Sequence, residues 1–296
     1  MLQIASFLRA GCTVKILLAD IHGFLDNLQA ASFEQVAFRA KYYKFVITEL
    51  LKAVGVSVDR LQFVLGSSYQ ISEKYYMDML RLYTLVGERD AKKAGSEVVK
   101  QIDSAPLSGL VYPLMQALDE EYLGVDAQFG GVDQRKIFTL AKDILPKIGY
   151  KQRAHLMNPM VPGLAGGKMS SSDPNSKIDV LDDADIVTKK LKKAFAVARE
   201  TEGNGLLSFI EYVLLPSSAI KEGRASFAVE RQKEEPLVYS NIEKIHEDYK
   251  ADILTPQLLK NSVAKSLNAL LEPVQKAFKA SKEWQECEQK AYPPEP

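Results

Sequence analysis

Apolar positions along the chain change period several times, and each change marks an element. Leu2, Ile4, Ala5 and Leu8 recur at helical spacing over residues 1–10, and Gly11 stands where a helix C-terminal cap belongs. Thr13–Ala19 (TVKILLA) is then a short apolar, β-branched run of the kind buried on both faces of a parallel sheet. It ends in Asp20-Ile21-His22-Gly23, at the carboxyl end of the strand, where open α/β sheets place their ligands. A long amphipathic stretch from Ser32 to Val54 predicts a helix with Ser32 as N-cap and Gly55 as terminator. Leu61–Leu65 (LQFVL) predicts the next strand, which leads into Gly66-Ser67-Ser68-Tyr69-Gln70.

Residues 72–104 are polar, helical in pattern and rich in Tyr and Lys, which predicts a helical insertion on the sheet over about 72–108. Its role is either a solvated or a dimer-forming helical pair. Pro113 then opens a helix through LMQALDEEYLG, at the first-turn position that proline tolerates. Val125–Phe129 reads as a strand, Gly130-Gly131-Val132-Asp133-Gln134 as the turn at its end, and Arg135 as the start of a further helix. Lys177–Leu181 reads as the last short strand, and the acidic Asp182-Asp183-Ala184-Asp185 suits a helix N-terminus. The remainder is helical, with a basic face at Lys189, Lys190, Lys192 and Lys193 and an apolar helix at Val263, Leu267, Leu270, Leu271 and Val274. Between them the charge-rich EGRASFAVERQKEEPL specifies no clear element.

This alternation predicts an α/β fold, a Rossmann-like doubly wound parallel sheet over residues 1–182, followed by an α-helical domain over 183–296. A parallel strand fed by a helix also implies an earlier strand on the far side of that helix, and the sequence does not contain one. The expected sheet therefore lacks its first strand and exposes an edge there.

Composition narrows the class rather than the function. With 38 basic and 38 acidic residues among 296, a polyanionic partner must be met by local basic patches. Cys12 and Cys287 are too few and too far apart in sequence for a disulfide framework or a zinc site, which fits a reducing compartment. No run approaches the length of a membrane span and the N-terminus lacks a signal-peptide layout, so the expected location is cytoplasmic, with no membrane partner.

Two stretches carry chemistry. Gly163-Leu164-Ala165-Gly166-Gly167-Lys168-Met169-Ser170-Ser171-Ser172 combines a pliant backbone with an ammonium and three hydroxyls, the ingredients of a phosphate-handling loop. Taken alone it also fits a Gly/Ser linker that carries a lysine. Tyr112, Gln116 and Asp119 fall at i, i+4 and i+7, so on a helix they point the same way. Such a strip is either a solvated face or a pocket wall, in which Asp119 accepts from a hydroxyl or amine and Gln134 reaches in from the neighbouring strand end. A site built to bond a hydroxyl rejects the analogue that lacks it, because a buried polar group is left unpaired.

Lys168-Met169-Ser170-Ser171-Ser172 resembles the second signature of the class I aminoacyl-tRNA synthetases. Four further stretches, Ala19–His22, Tyr112–Asp119, Phe129–Lys136 and His155–Pro159, are similar, in order and spacing, to the eukaryotic and archaeal type of tyrosyl-tRNA synthetase. The resemblance covers nearly the whole chain. It implies that Tyr112, Gln116, Asp119 and Gln134 contact L-tyrosine, with Ala19, His22 and Gln70 at the pocket edge. It implies that Gly130, Gly131 and Asp133 lie against the ribose and adenylate. Lys168, Met169 and the serines Ser170, Ser171 and Ser172 would then meet the ATP phosphates, with Mg2+ accompanying the ATP and no protein-bound metal. Arg135 and Lys136 match positions that contact the acceptor stem of tRNA(Tyr), the helical domain would meet the anticodon, and the insertion would form a homodimer. The family's first signature, a His-x-Gly-His-type element, is absent: His22, His155 and His246 are the only histidines. The expectation is therefore a chain whose Met1 corresponds to an internal position of the family and whose tyrosine activation is impaired. Two other readings remain at this point, a non-catalytic tRNA-binding or signalling fragment on the same fold, and a tryptophan-specific relative.

Overall fold

The computed structural model describes residues 1–26, 31–99, 106–161, 163–164 and 177–293. In chain order its helices are α1 (Leu2–Arg9), α2 (Asp20–Leu25), α3 (Phe33–Ala53), α4 (Ser67–Gln70), α5 (Glu73–Tyr83), α6 (Glu88–Gly95), α7 (Leu107–Tyr122) and α8 (Arg135–Ile144). There follow α9 (Ala184–Lys193), α10 (Gly205–Phe209), α11 (Leu215–Glu222), α12 (Ile242–Lys250), α13 (Pro256–Ala280) and α14 (Lys282–Ala291). The strands are β1 (Val14–Leu18), β2 (Leu61–Leu65), β3 (Ala127–Gly131), β4 (Ala154–Asn158), β5 (Phe227–Arg231) and β6 (Glu234–Tyr239). They pair as β1–β2, β3–β4 and β5–β6. The chain packs into two compact units, one of residues 15–44, 62–160 and 286–296, the other of 1–14, 45–61 and 161–285.

In the first unit, β3 and β4 run parallel, with Ala127 opposite Ala154 and Gly131 opposite Asn158. Helix α7 is the centre of its core: Leu114, Met115, Ala117 and Leu118 pack with Tyr75, Met79 and Leu82 of α5, Ala91 of α6, and Ala141 and Ile144 of α8. Burying Leu114, Met115 and Leu118 contributes about 2 kcal/mol each, which outweighs the roughly 3 kcal/mol cost of Pro113 inside the helix. Helix α5 starts cleanly because Ser72 Oγ accepts the Tyr75 N–H at 3.3 Å. Ser32 and Gln35 exchange hydrogen bonds at the head of α3, 3.0 Å from the Ser32 N–H and 3.2 Å from the Gln35 N–H.

In the second unit one core joins Val187 and Leu191 of α9 to Leu206 and Leu207 of α10, Ile245 and Tyr249 of α12, and Leu259, Val263, Leu267, Leu271 and Val274 of α13. A smaller cluster joins Ala5 and Leu8 of α1 to Leu51, Val54 and Val56. Asp183, Asn204, Asn241 and Thr255 cap α9, α10, α12 and α13 through their side chains.

The structure corrects the sequence reading at several places. Helix α7 begins at Leu107, after Pro106, so Pro113 lies inside it rather than opening it. Lys177–Leu181 is no strand: the Asp179 N–H donates to Asp182 Oδ2 at 2.9 Å and the Leu181 N–H to Asp179 Oδ1 at 3.0 Å, and these local aspartate turns replace a ladder. The uninformative charge-rich stretch holds the antiparallel hairpin β5–β6, so the C-terminal part is helical but not wholly so. Its inward positions Phe227 and Val229 are buried and alternate with exposed Ala228 and Glu230. Finally, His155 lies on a strand, β4, that apolar periodicity does not signal.

Candidate functional site: a buried carboxylate on α7

Three of the residues singled out on α7 do share a face. Asp119, 1% exposed, sits deepest. Its Oδ1 accepts from Gln70 Nε2 at 2.8 Å and from the Tyr75 hydroxyl at 3.0 Å. Its Oδ2 has no hydrogen-bond donor among the described residues, and the nearest cationic candidate, His22 Nε2, stands 3.7 Å away. Burial raises the Asp119 pKa, against the opposing pull of His22, Gln70 and the Tyr69 and Tyr75 hydroxyls, of which Tyr69 stands beside the carboxylate beyond ordinary hydrogen-bond length. Burial likewise lowers the His22 pKa despite the nearby charges of Asp119 and Asp20, so at neutral pH the imidazole is neutral.

The surrounding groups are set by backbone. Asp20, at the head of α2, accepts the Ser67 N–H at 2.9 Å and so anchors α4, which carries Tyr69 and Gln70. A Cβ at Gly66 would stand 2.6 Å from Gln70 Oε1 and 2.8 Å from Asp20 Oδ1, so only glycine lets both side chains settle there. Gln70 Nε2 lies 3.3 Å from His22 Nδ1, and the His22 ring meets the edge of Tyr112 with centroids 4.7 Å apart. Four buried polar atoms here lack a partner among the described residues: His22 Nε2, Tyr69 OH, Gln70 Oε1 and Asp119 Oδ2. Three of them, His22 Nε2, Tyr69 OH and Asp119 Oδ2, face one another at longer range, so the pocket is polar and loosely bonded, as a site for a polar ligand is. Burial pushes the Tyr112 hydroxyl up to about 12, which keeps it a neutral donor.

The end of β3 supplies the second part: Gly130 and Gly131, read from the sequence as the turn after the strand, are its last two residues, paired with Met157 and Asn158 of β4. Gln116 Nε2 donates to Gln134 Oε1 at 2.6 Å, joining α7 to the turn after β3. At Gly130 a Cβ would stand 3.0 Å from Phe138 Cζ and 3.1 Å from Gln134 Cγ, and at Gly131 it would collide with the Asp133 carboxylate. A larger residue at either position would make a neighbouring side chain give way, Phe138 and Gln134 by a few tenths of an ångström and the Asp133 carboxylate by swinging aside. Asp133 and Gln134 are half-buried beside them.

Ala19 is exposed at the N-cap of α2. Arg135 is exposed, whereas the Lys136 ammonium is already engaged by Ser96 Oγ at 2.7 Å and Glu97 Oε1 at 2.9 Å. Lys168, Met169, Ser170, Ser171 and Ser172 lie outside the described residues. The sequence reading missed Tyr69 and Tyr75, whose placement beside Asp119 depends on contacts 44 positions apart in the chain for the Tyr75 pair. The one available signal was the density of tyrosines after Gly66. No group of three or more metal-ligating side chains occurs among the described residues.

Comparison with known proteins gives the family of the chain. Residues 1–272 match the family of class I tRNA synthetases for tryptophan and tyrosine (W and Y). The chain is 52% identical over 298 residues to the cytoplasmic tyrosine–tRNA ligase of Saccharomyces cerevisiae, covering 99% of this chain and 75% of that one. Against the cytoplasmic tyrosine–tRNA ligase of Danio rerio it is also 52% identical over 99% of its length, but it spans 54% of that longer protein. The solved tyrosyl-tRNA synthetase of Archaeoglobus fulgidus, complexed with L-tyrosine, superposes with a TM-score of 0.83 at 37% identity, covering 93% of this chain and 84% of that one.

Proposed function

This chain belongs to the class I tRNA synthetases of the tryptophan and tyrosine family, and from that premise we propose that it works as a cytoplasmic tyrosine–tRNA ligase. Class I tRNA synthetases use ATP as substrate. In the proposed reaction the tyrosine carboxylate attacks the α-phosphorus of ATP and pyrophosphate leaves; a hydroxyl of the terminal ribose of tRNA(Tyr) then attacks the adenylate's acyl carbon, forming the ester and releasing AMP. The observation that carries the choice of tyrosine is the open Oδ2 of buried Asp119, an acceptor for the phenol proton at the bottom of a polar strip. Phenylalanine would leave that oxygen unpaired, so the site would reject it through a lost hydrogen bond rather than through shape.

In this reading Tyr112, Gln116 and Gln134 orient the amino group, and His22 and Gln70 hold Asp119 in place. Gly130, Gly131 and Asp133 meet the ribose, and Lys168, Met169, Ser170, Ser171 and Ser172 stabilise the departing pyrophosphate. Magnesium enters with the ATP. Residues 1–182 would serve catalysis and 183–296 the anticodon, with Arg135 free to meet the acceptor stem. A homodimer would form through the insertion, where Tyr76, Met77, Leu80 and Tyr83 of α5 expose a band of apolar surface and Ile71, just before the helix, is 77% exposed.

ATP–pyrophosphate exchange with tyrosine, tryptophan and phenylalanine, followed by charging of tRNA(Tyr), tests the proposal. Exchange driven by tyrosine supports it. Exchange driven by tryptophan, or tRNA binding with no adenylate formed, overturns it.

A further inference from the structure

Next to Asp119 on α7 lies a second buried carboxylate that the proposed reaction does not use. Glu120, 1% exposed, faces the other side of the helix, and its Oε1 lies 2.7 Å from His155 Nε2 on β4. The His155 ring stacks on Phe138 of α8 with centroids 4.6 Å apart and planes 11° apart. Phe138 is the ring whose Cζ stands 3.0 Å from the place of a Cβ at Gly130. An unbroken series of contacts thus runs from α7 through β4 and α8 to Gly130 near the end of β3.

This pair is poorly suited to a purely stabilising role. Glu120 Oε2 and His155 Nδ1 are both buried with no hydrogen-bond partner among the described residues. Burial raises the Glu120 pKa, against the pull of His155 and Arg153 and with a push from Asp119. A half-satisfied buried pair contributes less than apolar side chains of the same volume, so stability alone does not account for it. What the pair does supply is direction. A hydrogen bond of fixed length sets the plane of the imidazole, the imidazole sets the plane of Phe138, and Phe138 limits how far the Gly130-Gly131 backbone can sink.

We propose that Glu120 and His155 are positioning residues that hold Gly130 and Gly131, the last two residues of β3, and the following Asp133 at the height required for the nucleotide. The inference rests on the proposed function for the nucleotide, while the positioning itself is a property of the fold. Neither residue touches a substrate in this scheme; both act through Phe138. Gln134, which meets tyrosine in the proposed function, is held separately by its 2.6 Å hydrogen bond from Gln116 of α7, so the pair should set the ATP side of the reaction more than the tyrosine side.

The decisive variant replaces both partners by apolar residues, Glu120→Leu with His155→Leu, and the reciprocal control is Glu120→Gln, which keeps one hydrogen bond. Two measurements separate the outcomes. Hydrogen–deuterium exchange over residues 128–135 should quicken about tenfold in the double variant while its melting temperature holds or rises. In pyrophosphate exchange, kcat/KM for ATP should fall about ten- to hundredfold, KM for tyrosine should change less than about twofold, and Glu120→Gln should recover most of the loss. Unchanged exchange over 128–135 in a folded double variant would overturn the positioning role. Equal losses for ATP and tyrosine would overturn its link to the nucleotide. A wild-type chain that shows no tyrosine-dependent exchange would count against the proposed function, and the deuterium result would still decide the positioning role.

Discussion

Two aspartates in the same compact unit are both enclosed and both meet tyrosine hydroxyls, yet they end in opposite electrostatic states. Asp78, on α5, is fully furnished: Tyr122 donates at 2.8 Å, Tyr150 donates through a short hydrogen bond, and Arg81 Nη1 pairs at 3.0 Å. Burial alone would raise its pKa, but the hydrogen bonds from Tyr150, Tyr122 and Arg81 outweigh that and lower it. Asp119 has one oxygen supplied and one left open, and its pKa is raised by burial. A carboxylate used for structure collects all the donors it can hold. One kept for a ligand is left short, at a cost in stability.

The contrast breaks most visibly at Asp78. Asp78→Ala removes the acceptor of two tyrosine hydroxyls and of Arg81 Nη1, leaving the guanidinium only its Nη2 bond to the Ile148 carbonyl, which should cost about 3 kcal/mol in urea unfolding and move tyrosine-over-phenylalanine preference little. Asp119→Asn should do the reverse. Its amide no longer presents two acceptor oxygens, so the preference for tyrosine in pyrophosphate exchange should drop about ten- to hundredfold, while stability at neutral pH holds or rises. Tyr75→Phe lies between the two: losing one donor to Asp119 should cost about 1 kcal/mol in stability and shift the preference by roughly fivefold. A loss of preference in Asp78→Ala equal to that in Asp119→Asn would show that the two carboxylates form one network.

The smallest expected effect is a matter of sign. A lowered folded-state pKa contributes stability above the ordinary aspartate value of 3.8 and loses it as pH falls through the folded value, so Asp78 should support the fold at neutral pH and not in acid. A raised folded-state pKa works the other way: Asp119 takes up its proton earlier in the folded state, and stability recovers as pH falls towards 3.8. The stability gap between wild type and Asp78→Asn should therefore close below pH 3.8, and the gap to Asp119→Asn should shrink above it. Chemical unfolding at stepped pH measures both.

Much of this site was legible in the sequence because it obeys short-range geometry. The i, i+4, i+7 spacing of Tyr112, Gln116 and Asp119 survives the correction to the start of α7, since the helical phase does not depend on where the helix begins. β1, β2 and β3 announced themselves by compact strand-like runs at sheet positions. What stayed hidden is non-local. Tyr75 reaches Asp119 through tertiary packing that no periodicity encodes, and its helix reads as a polar insertion. β4 is missed because its two partly buried residues, His155 and Asn158, are polar, and the pairing of His155 with Glu120 makes a polar side chain behave as core. The hairpin β5–β6 was readable in principle: Phe227 and Val229 alternate with Ala228 and Glu230, but the surrounding charges masked the period of two.

Gly66 carries a consequence for redesign. Its missing methyl group is what allows Gln70 and Asp20 to occupy their places: a Cβ there would press on the ends of both side chains, the amide that steadies Asp119 and the carboxylate that anchors α4. Libraries meant to recruit an aromatic amino acid of another size should keep this codon fixed and spend their diversity on Tyr69, Tyr75 and Tyr112, whose side chains can change without rerouting the backbone.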